Sequence, residues 1–313
     1  MKILIVCSAT NRQIAPFIKE QAESLLACGE MVEFYLIREK GIKGYLHALS
    51  GLKSKISTFR PNIIHAHYGL SGLLANLQRK VPVVTTFHGS DINDPRVLKW
   101  SRWAIRLSRY AIFVSQQAVE IANPRSRYSV LPCGVNTNRF FPVNKKIARQ
   151  QLGWNDGEVY ILFAGTHEVE VKNYPLASQA VRNIPGAQLV ELKGFDRDGV
   201  NLALNAADVA LMTSFTEGSP QFIKEAMACN CPVVSTDVGD VKQLTEGVDG
   251  CYITSFEVES VTSGLQEALR FASNKGRTVG REKIQQLGLT DNRIAGELIR
   301  IYQRCVHDEA KKQ

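Results

Sequence analysis

The sequence predicts an α/β protein made of two Rossmann-like domains, each a parallel sheet wrapped by helices. Three observations predict it. Short apolar runs alternate with stretches of helical periodicity, the pattern of strand, crossover helix and strand. The alternation completes near residue 131 and starts again near residue 160. The length of 313 residues exceeds most single cores and suits two domains of about 150 residues.

In the first series, 2–7 is an apolar strand. Residues 15–27 place Phe17, Ile18, Ala22, Leu25 and Leu26 at helical spacing and stop near Gly29. Strands follow at 32–37, 63–67 and 83–87, with short ones at 111–115 and 129–131; helices fall at 45–59, ended before Pro61, and at 70–78 and 95–107. The second series has strands at 160–164, 188–192, 209–213 and 233–236, and helices at 174–182, 199–206, 220–229, 241–245 and 260–273. The charged stretch 141–157 reads as loop and hinge between the series. A last helix near 293–305 carries Ile294, Leu298, Ile299 and Tyr302 on a stripe that must be buried against a neighbour.

Composition excludes several classes. Hydrophobic residues make up 44% and charged residues 22%, as in an ordinary globular protein. No stretch reaches the roughly 20 apolar residues of a membrane span. Lys2 before an apolar run imitates the start of a signal peptide, but Asn11-Arg12-Gln13 interrupts it, so the run is read as a strand and the chain is expected in the cytoplasm. Seven cysteines without disulfide-like spacing fit a reducing compartment. Cys229-x-Cys231 has no accompanying Cys/His pair and is read as two small core residues, not a metal site. The net charge of +8 suits an anionic ligand such as a nucleoside diphosphate, an anionic membrane surface, or merely solvated faces. With no helix-turn-helix, zinc-finger or RNP signature, nucleic acid is not an expected partner. Lys40, Lys43, Lys53, Lys55 and Arg60 with Leu46, Leu49 and Leu52 form either a basic amphipathic membrane surface or an ordinary helix with a solvated basic face.

Neither series opens with G-x-G-x-x-G: the first turn is Ser8-Ala9-Thr10-Asn11-Arg12-Gln13 and the second Gly165-Thr166-His167-Glu168. That argues against a nicotinamide dehydrogenase. The chemistry concentrates in Thr216-Glu217-Gly218-Ser219-Pro220-Gln221-Phe222-Ile223-Lys224-Glu225-Ala226-Met227-Ala228. Gly218 permits a tight turn, Ser219 suits an N-cap and Pro220 a first helical position. The backbone N–H groups of such a helix start suit a diphosphate. Glu217 falls at the carboxyl end of a strand, where open α/β sheets bind ligands, and Glu225 about one and a half turns into the helix. The plainer reading is a capped surface helix with two solvated glutamates. His65 and His67, two apart on a strand, suit strand-end hydrogen bonding better than a metal pair; Asp196-Arg197-Asp198 reads as a turn, so no metal site is expected.

The Glu217–Glu225 spacing resembles the E-x7-E signature of family 4 glycosyltransferases. The likeness continues through Cys231-Pro232-Val233-Val234-Ser235-Thr236-Asp237-Val238-Gly239-Asp240. It extends to Ile63-Ile64-His65-Ala66-His67-Tyr68-Gly69, Thr86-Phe87-His88-Gly89-Ser90-Asp91, Val130-Leu131-Pro132-Cys133-Gly134-Val135-Asn136 with Phe140, and Phe163-Ala164-Gly165 followed by Lys172-Asn173. It spans nearly the whole chain, nearest to the transferases of teichuronic acid and capsular polysaccharides.

The resemblance implies the GT-B architecture, two Rossmann-like domains facing across a cleft: 1–142 for the acceptor, 143–292 for the nucleotide sugar, and 293–313 as a terminal helix that could return to the first domain. It implies a retaining, metal-independent transfer of a hexose-type sugar from a UDP- or GDP-linked donor, with no cofactor, to a glycan or lipid-linked acceptor in cell-surface polysaccharide biosynthesis. Glu217 would contact donor-sugar hydroxyls, Gly218, Ser219 and Pro220 would line the sugar and phosphate, Glu225 would hold the ribose, and Lys172 would neutralise the departing diphosphate. His88 would reach the sugar near the reacting carbon. The base would lie against Lys193, Gly194 and Phe195; Gly165, Thr166 and Gln221 complete the donor set, and Ser8, Asn11 and His67 belong to the acceptor. This chain departs from the family pattern twice. Residues 8–11 replace a glycine pair, and Thr166 stands where an arginine is usual, which leaves Lys172 as the phosphate cation alone or with another basic residue. Two other readings stand beside the transferase: a sugar-nucleotide epimerase of the same architecture, and a non-catalytic sugar-nucleotide binder.

Overall fold

A computed structural model describes residues 1–9, 13–38, 41–125 and 127–310. The chain divides into two compact units, Met1–Gly134 with Asp291–Gln313, and Val135–Thr290.

The first unit holds six parallel strands in the order β2-β1-β3-β4-β5-β6: β1 (Lys2–Ser8), β2 (Met31–Ile37), β3 (Ile63–His67), β4 (Val83–Phe87), β5 (Tyr110–Phe113) and β6 (Tyr128–Val130). Central β1, β3 and β4 are covered on both faces, so burial runs along them without alternation, through polar His65, His67, Thr85 and Thr86 as well as the apolar residues. Register follows from that burial, with Ile5 opposite His65 and Ala66 opposite Thr85. Chain order reverses between β1 and β3, so the carboxyl ends that carry Ser8 and His67 flank a topological switch point. Helices α1 (Pro16–Ala27), α2 (Gly41–Phe59), α3 (Gly69–Asn76) and α5 (Pro95–Leu107) cover the sheet; α4 (Ser90–Asn93) is a single turn and α6 (Gln116–Ala122) a short helix. The terminal helix α14 (Asp291–Ala310) lies against α1. Its stripe is buried there: Ile294, Leu298 and Tyr302 are all sealed from water.

The second unit holds five parallel strands in the order β11-β10-β9-β7-β8: β7 (Val159–Phe163), β8 (Ala187–Glu191), β9 (Val209–Met212), β10 (Val233–Thr236) and β11 (Cys251–Thr254). Its switch point lies between β7 and β9. The loops leaving those two strands therefore open side by side, one running to Lys172 and the other to Glu217. Helices α8 (Tyr174–Arg182) and α12 (Val258–Lys275) bury Leu176, Ala180, Val261 and Leu265 against Ile161, Val209 and Val234. Helix α10 (Gln221–Ala228) is buried almost all round.

Two expectations are corrected. The stretch 141–157 is not simply loop: it contains helix α7 (Lys145–Leu152), which follows Asn144 as N-cap and ends at Gly153 in the left-handed region. Its buried face carries Arg149, whose guanidinium binds Asp208 and the carbonyls of Ala206, Asn155 and Asp156. A helix that buries an arginine shows no apolar stripe. The division between units falls at Gly134, earlier than 142, because 135–140 is tied into the second unit. Val135 donates to the Leu289 carbonyl, and Arg281 donates to the carbonyls of Thr137 and Phe140. On α2, Leu52 is fully buried, Leu49 packs on the same core, and Lys55 pairs with Glu33, which fits the ordinary helix face of the two readings. Lys40 and the side chains of Lys43 and Leu46 lie outside the described residues.

Candidate active site

In the second unit, the carboxyl ends of β7 and β9 bring Lys172 and Glu217 together. After β7 the chain turns through Gly165 and Thr166 into a single 3-10 turn, Glu170–Lys172. Lys172 Nζ donates to Glu217 Oε1 at 2.6 Å, both side chains partly exposed. Gly165 makes room for this: a Cβ there would stand 2.8 Å from Lys172 Cγ.

The turn that enters α10 is braced from behind. Gly239 takes φ +61°, and a Cβ on it would lie 2.5 Å from the Gly218 carbonyl oxygen. Ser219 Oγ donates to Asp240 Oδ2 at 2.6 Å and accepts from Lys224 Nζ at 3.2 Å. Lys224 is 0% exposed, and Asp240 is also buried. Burial pushes the Asp240 carboxyl up, and the Lys224 ammonium and the Ser219 hydroxyl draw it back down. This places the helix start one residue later than the sequence suggests. Pro220 occupies the N-cap position and Gln221 opens the helix, because the Ser219 hydroxyl is committed to Asp240 and caps nothing. Glu225 lies deeper, its side chain 4% exposed and bonded to Arg197 at 2.5 Å. Arg197 also stacks over the Phe140 ring, 4.7 Å from its centroid. The segment expected against the base is open: Lys193 pairs with Glu168 at 2.6 Å, Gly194 takes φ +87°, and Phe195 packs beside Gly199. His167 binds Glu191 through its backbone N–H and ring, leaving Thr166 as the residue beside Gly165. Asp196 caps α9 (Arg197–Ala206) through the Gly199 N–H, so the Asp-Arg-Asp sequence is a helix start. Cys229 and Cys231 are buried core thiols raised by desolvation.

In the first unit a histidine cluster forms at the ends of β3 and β4. His88 is half-buried between Phe17 and Tyr68, whose ring centroids stand 4.8 and 4.7 Å away. His67 Nδ1 and His88 Nε2 share a hydrogen bond of 3.0 Å. His65 binds Thr86 Oγ1 and the Tyr302 hydroxyl of α14. Burial holds His65 near pKa 3 and His67 well below the usual range, so both rings are neutral. Asp91 accepts from the backbone N–H groups of Gly69, His88 and Gly89 and so fixes both loops. Burial raises its carboxyl to about 6, against the pull of those donors. Tyr68 adopts φ +71°, a conformation costly for a tyrosine, and thereby packs its ring on His88. His67, expected at the acceptor, has no exposed surface, and its ring is hydrogen-bonded to that of His88. Ser8 is partly exposed at the end of β1; Asn11 lies outside the described residues.

Sequence reasoning missed Lys224, Asp240, Arg197 and Asp91. Lys224 stood inside the quoted segment; its signal was a lysine where periodicity puts the buried helix face.

The model described as "Glycosyltransferase Family 4" matches residues 5–139, and the one described as "Glycosyl transferases group 1" matches 143–270. The chain belongs to the family 4 glycosyltransferases, and its fold is that of the GT-B class. It is 28% identical over 215 residues to a Bacillus subtilis protein named as a teichuronic acid biosynthesis glycosyltransferase, TuaC, covering 59% of this chain and 55% of that protein. The chain spans about half the length of the curated relatives it matches. Among solved structures it resembles a sucrose-phosphate synthase of Thermosynechococcus elongatus, with a TM-score of 0.83, 17% identity, and coverage of 97% of this chain and 98% of that one. It also resembles the Anabaena protein HepE in complex with UDP, with a TM-score of 0.76, 18% identity, and coverage of 97% and 100%. Among the described residues no helix is long and apolar enough to cross a membrane.

Proposed function

We propose that the protein transfers a hexose-type sugar from a UDP- or GDP-linked donor to a glycan or lipid-linked acceptor, with retention at the anomeric carbon, in cell-surface polysaccharide biosynthesis. The observation that carries this reading is the Lys172–Glu217 pair beside the braced Gly218–Ser219–Pro220 turn. A cation, a carboxylate and a helix start stand together where a parallel sheet binds ligands.

The chemistry follows from charge. Glycosyl transfer passes through an oxocarbenium-like state while negative charge grows on the departing diphosphate. Lys172 and the N–H groups at the start of α10 would stabilise that charge as it forms, so the reading needs no divalent metal or other cofactor. Donor binding would exchange the ion pair: Lys172 turns to phosphate and Glu217 to sugar hydroxyls. Gly165, Thr166 and Gln221 would line the donor, with the base beside Lys193, Gly194 and Phe195. Glu225 would reach the ribose by giving up part of its bond to Arg197, which would supply a cation beside the ribose, while the position of the family's arginine is held by Thr166. His88 is proposed for the sugar, set in place by His67, and Ser8 for the acceptor. A lipid-linked acceptor would bring the enzyme to an anionic membrane surface. The names of the teichuronic acid relative and the UDP complex support, respectively, the pathway class and the nucleotide class.

Incubation with a panel of UDP- and GDP-sugars tests it. Slow release of free nucleoside diphosphate, lost in Glu217→Ala, is the expected result. An isomerised sugar, or binding without turnover under every acceptor, would contradict it.

A further inference from the structure

Helix α5 presents a face that no part of the donor site uses. Arg96, Lys99, Trp100, Trp103 and Arg106 recur at spacings of three and four and share one face, with Arg102 beside it; all are exposed, while Ser101, Ala104 and Ile105 are buried on the opposite side. Trp100 is 40% and Trp103 55% exposed, large apolar areas to leave in water. Lys99 Nζ stands 5.3 Å from the Trp100 ring centroid. The one acid between 94 and 108 is Asp94, which caps the helix and pairs with Arg96. Beside the face opens a surface cavity of about 560 Å³ lined by Arg102, Arg106, Arg125, Asn123 and Ile105. Arg102 is held across it by the Ile121 carbonyl at 3.2 Å.

We infer that this face docks on the surface of an anionic phospholipid bilayer. Indoles at one level of a helix, rimmed by arginine and lysine, match an interface that is apolar below and anionic above. The three guanidinium groups around the cavity match a lipid phosphate. The stripe lies on a convex helix with both indoles along one line, whereas a single-stranded nucleic acid calls for a basic groove with stacking platforms. The inference gives a face to the membrane approach in the proposed function and rests on that reading in this respect alone; vesicle binding is measured without any sugar nucleotide, so its failure leaves the donor site standing.

Sedimentation of the full chain with vesicles tests it. Binding is expected to phosphatidylglycerol–phosphatidylcholine vesicles and not to pure phosphatidylcholine. In a Trp154→Phe background, where Trp100 and Trp103 are the remaining indoles, emission should shift to the blue on the anionic vesicles. Arg102→Gln with Arg106→Gln should weaken binding by about 30-fold, and inorganic phosphate at the same phosphate concentration should not displace the protein. Trp100→Ala with Trp103→Ala should weaken co-sedimentation with the anionic vesicles. Circular dichroism and melting of each variant, all at exposed positions, check folding, and Arg125→Gln provides an independent single change. Four outcomes would overturn the inference: no binding of the unaltered chain, equal binding to neutral vesicles, undiminished binding of these variants, or displacement by poly(U) at equal phosphate.

Discussion

Replacing Lys224 with methionine tests whether the turn into α10 rests on a buried charge pair. Lys224 has no exposed surface, and its ammonium reaches Ser219 Oγ at 3.2 Å, which in turn donates to buried Asp240 at 2.6 Å. Methionine keeps the stem and removes the charge, leaving the Asp240 carboxylate in a low-dielectric site. Breaking a buried pair by removing one partner costs about 3–5 kcal/mol, far above the effect of an ordinary surface change. The loss should grow with pH. Without Lys224 the Asp240 carboxyl rises further, so the variant gains stability from its neutral acid at low pH and loses it as the pH climbs through the raised pKa. Lys224→Met combined with Asp240→Leu should recover much of the loss, because no charge is then stranded. Urea unfolding followed through Trp154, which stacks on Tyr160 in the second unit, reads that unit when Trp100 and Trp103 are phenylalanine. A single variant within about 0.5 kcal/mol of the unaltered protein would refute the reasoning.

Gly239→Ala should cost about 1–2 kcal/mol from the left-handed backbone alone. Its new Cβ would also push the Gly218 carbonyl, so turnover should fall by about a hundredfold; unchanged kinetics would show that the turn does not position the donor. Stability of the first unit should rise between pH 4 and 6. The unfolded chain gains two protons at His65 and His67, both depressed when folded, while Asp91, raised to about 6, holds one proton in the folded state. The net difference of one proton predicts about 1.4 kcal/mol per pH unit. Denaturant titrations across that window check the slope, and His65→Gln should flatten it. Arg197→Gln should weaken nucleoside diphosphate binding while leaving a shortened nucleoside-free sugar phosphate unaffected, a split that equilibrium binding resolves.

How far the sequence announced this molecule depended on which residues filled the buried positions. β1 and β9 are apolar runs closed on both faces, β3 and β4 are as deeply buried although they carry His65, His67, Thr85 and Thr86, and periodicity placed all four within a residue or two. Helix α7 was hidden because Arg149 and Ala148 fill its buried face. β11 was missed because its four residues mix Cys251 and Tyr252 with exposed Ile253 at a sheet edge. The spacing of Glu217 and Glu225 was legible through the family resemblance. What held them was not: Arg197 reaches Glu225 across 28 positions and Asp240 reaches Ser219 across 21, and such pairings exist only once the sheet has set loop against loop. The two exposed tryptophans of α5 were read as helix and nothing more, since a helical pattern does not say which apolar residues stay outside.

Calorimetric titration of UDP and of GDP into the unaltered protein and into Lys172→Ala, without acceptor, bears most directly on the donor site. One of the two nucleotides should bind the unaltered protein, and the variant should bind it at least about tenfold more weakly for want of a charge-assisted contact to phosphate. Equal affinity in both proteins, or no binding of either nucleotide at millimolar concentration, would contradict a diphosphate seated at the start of α10.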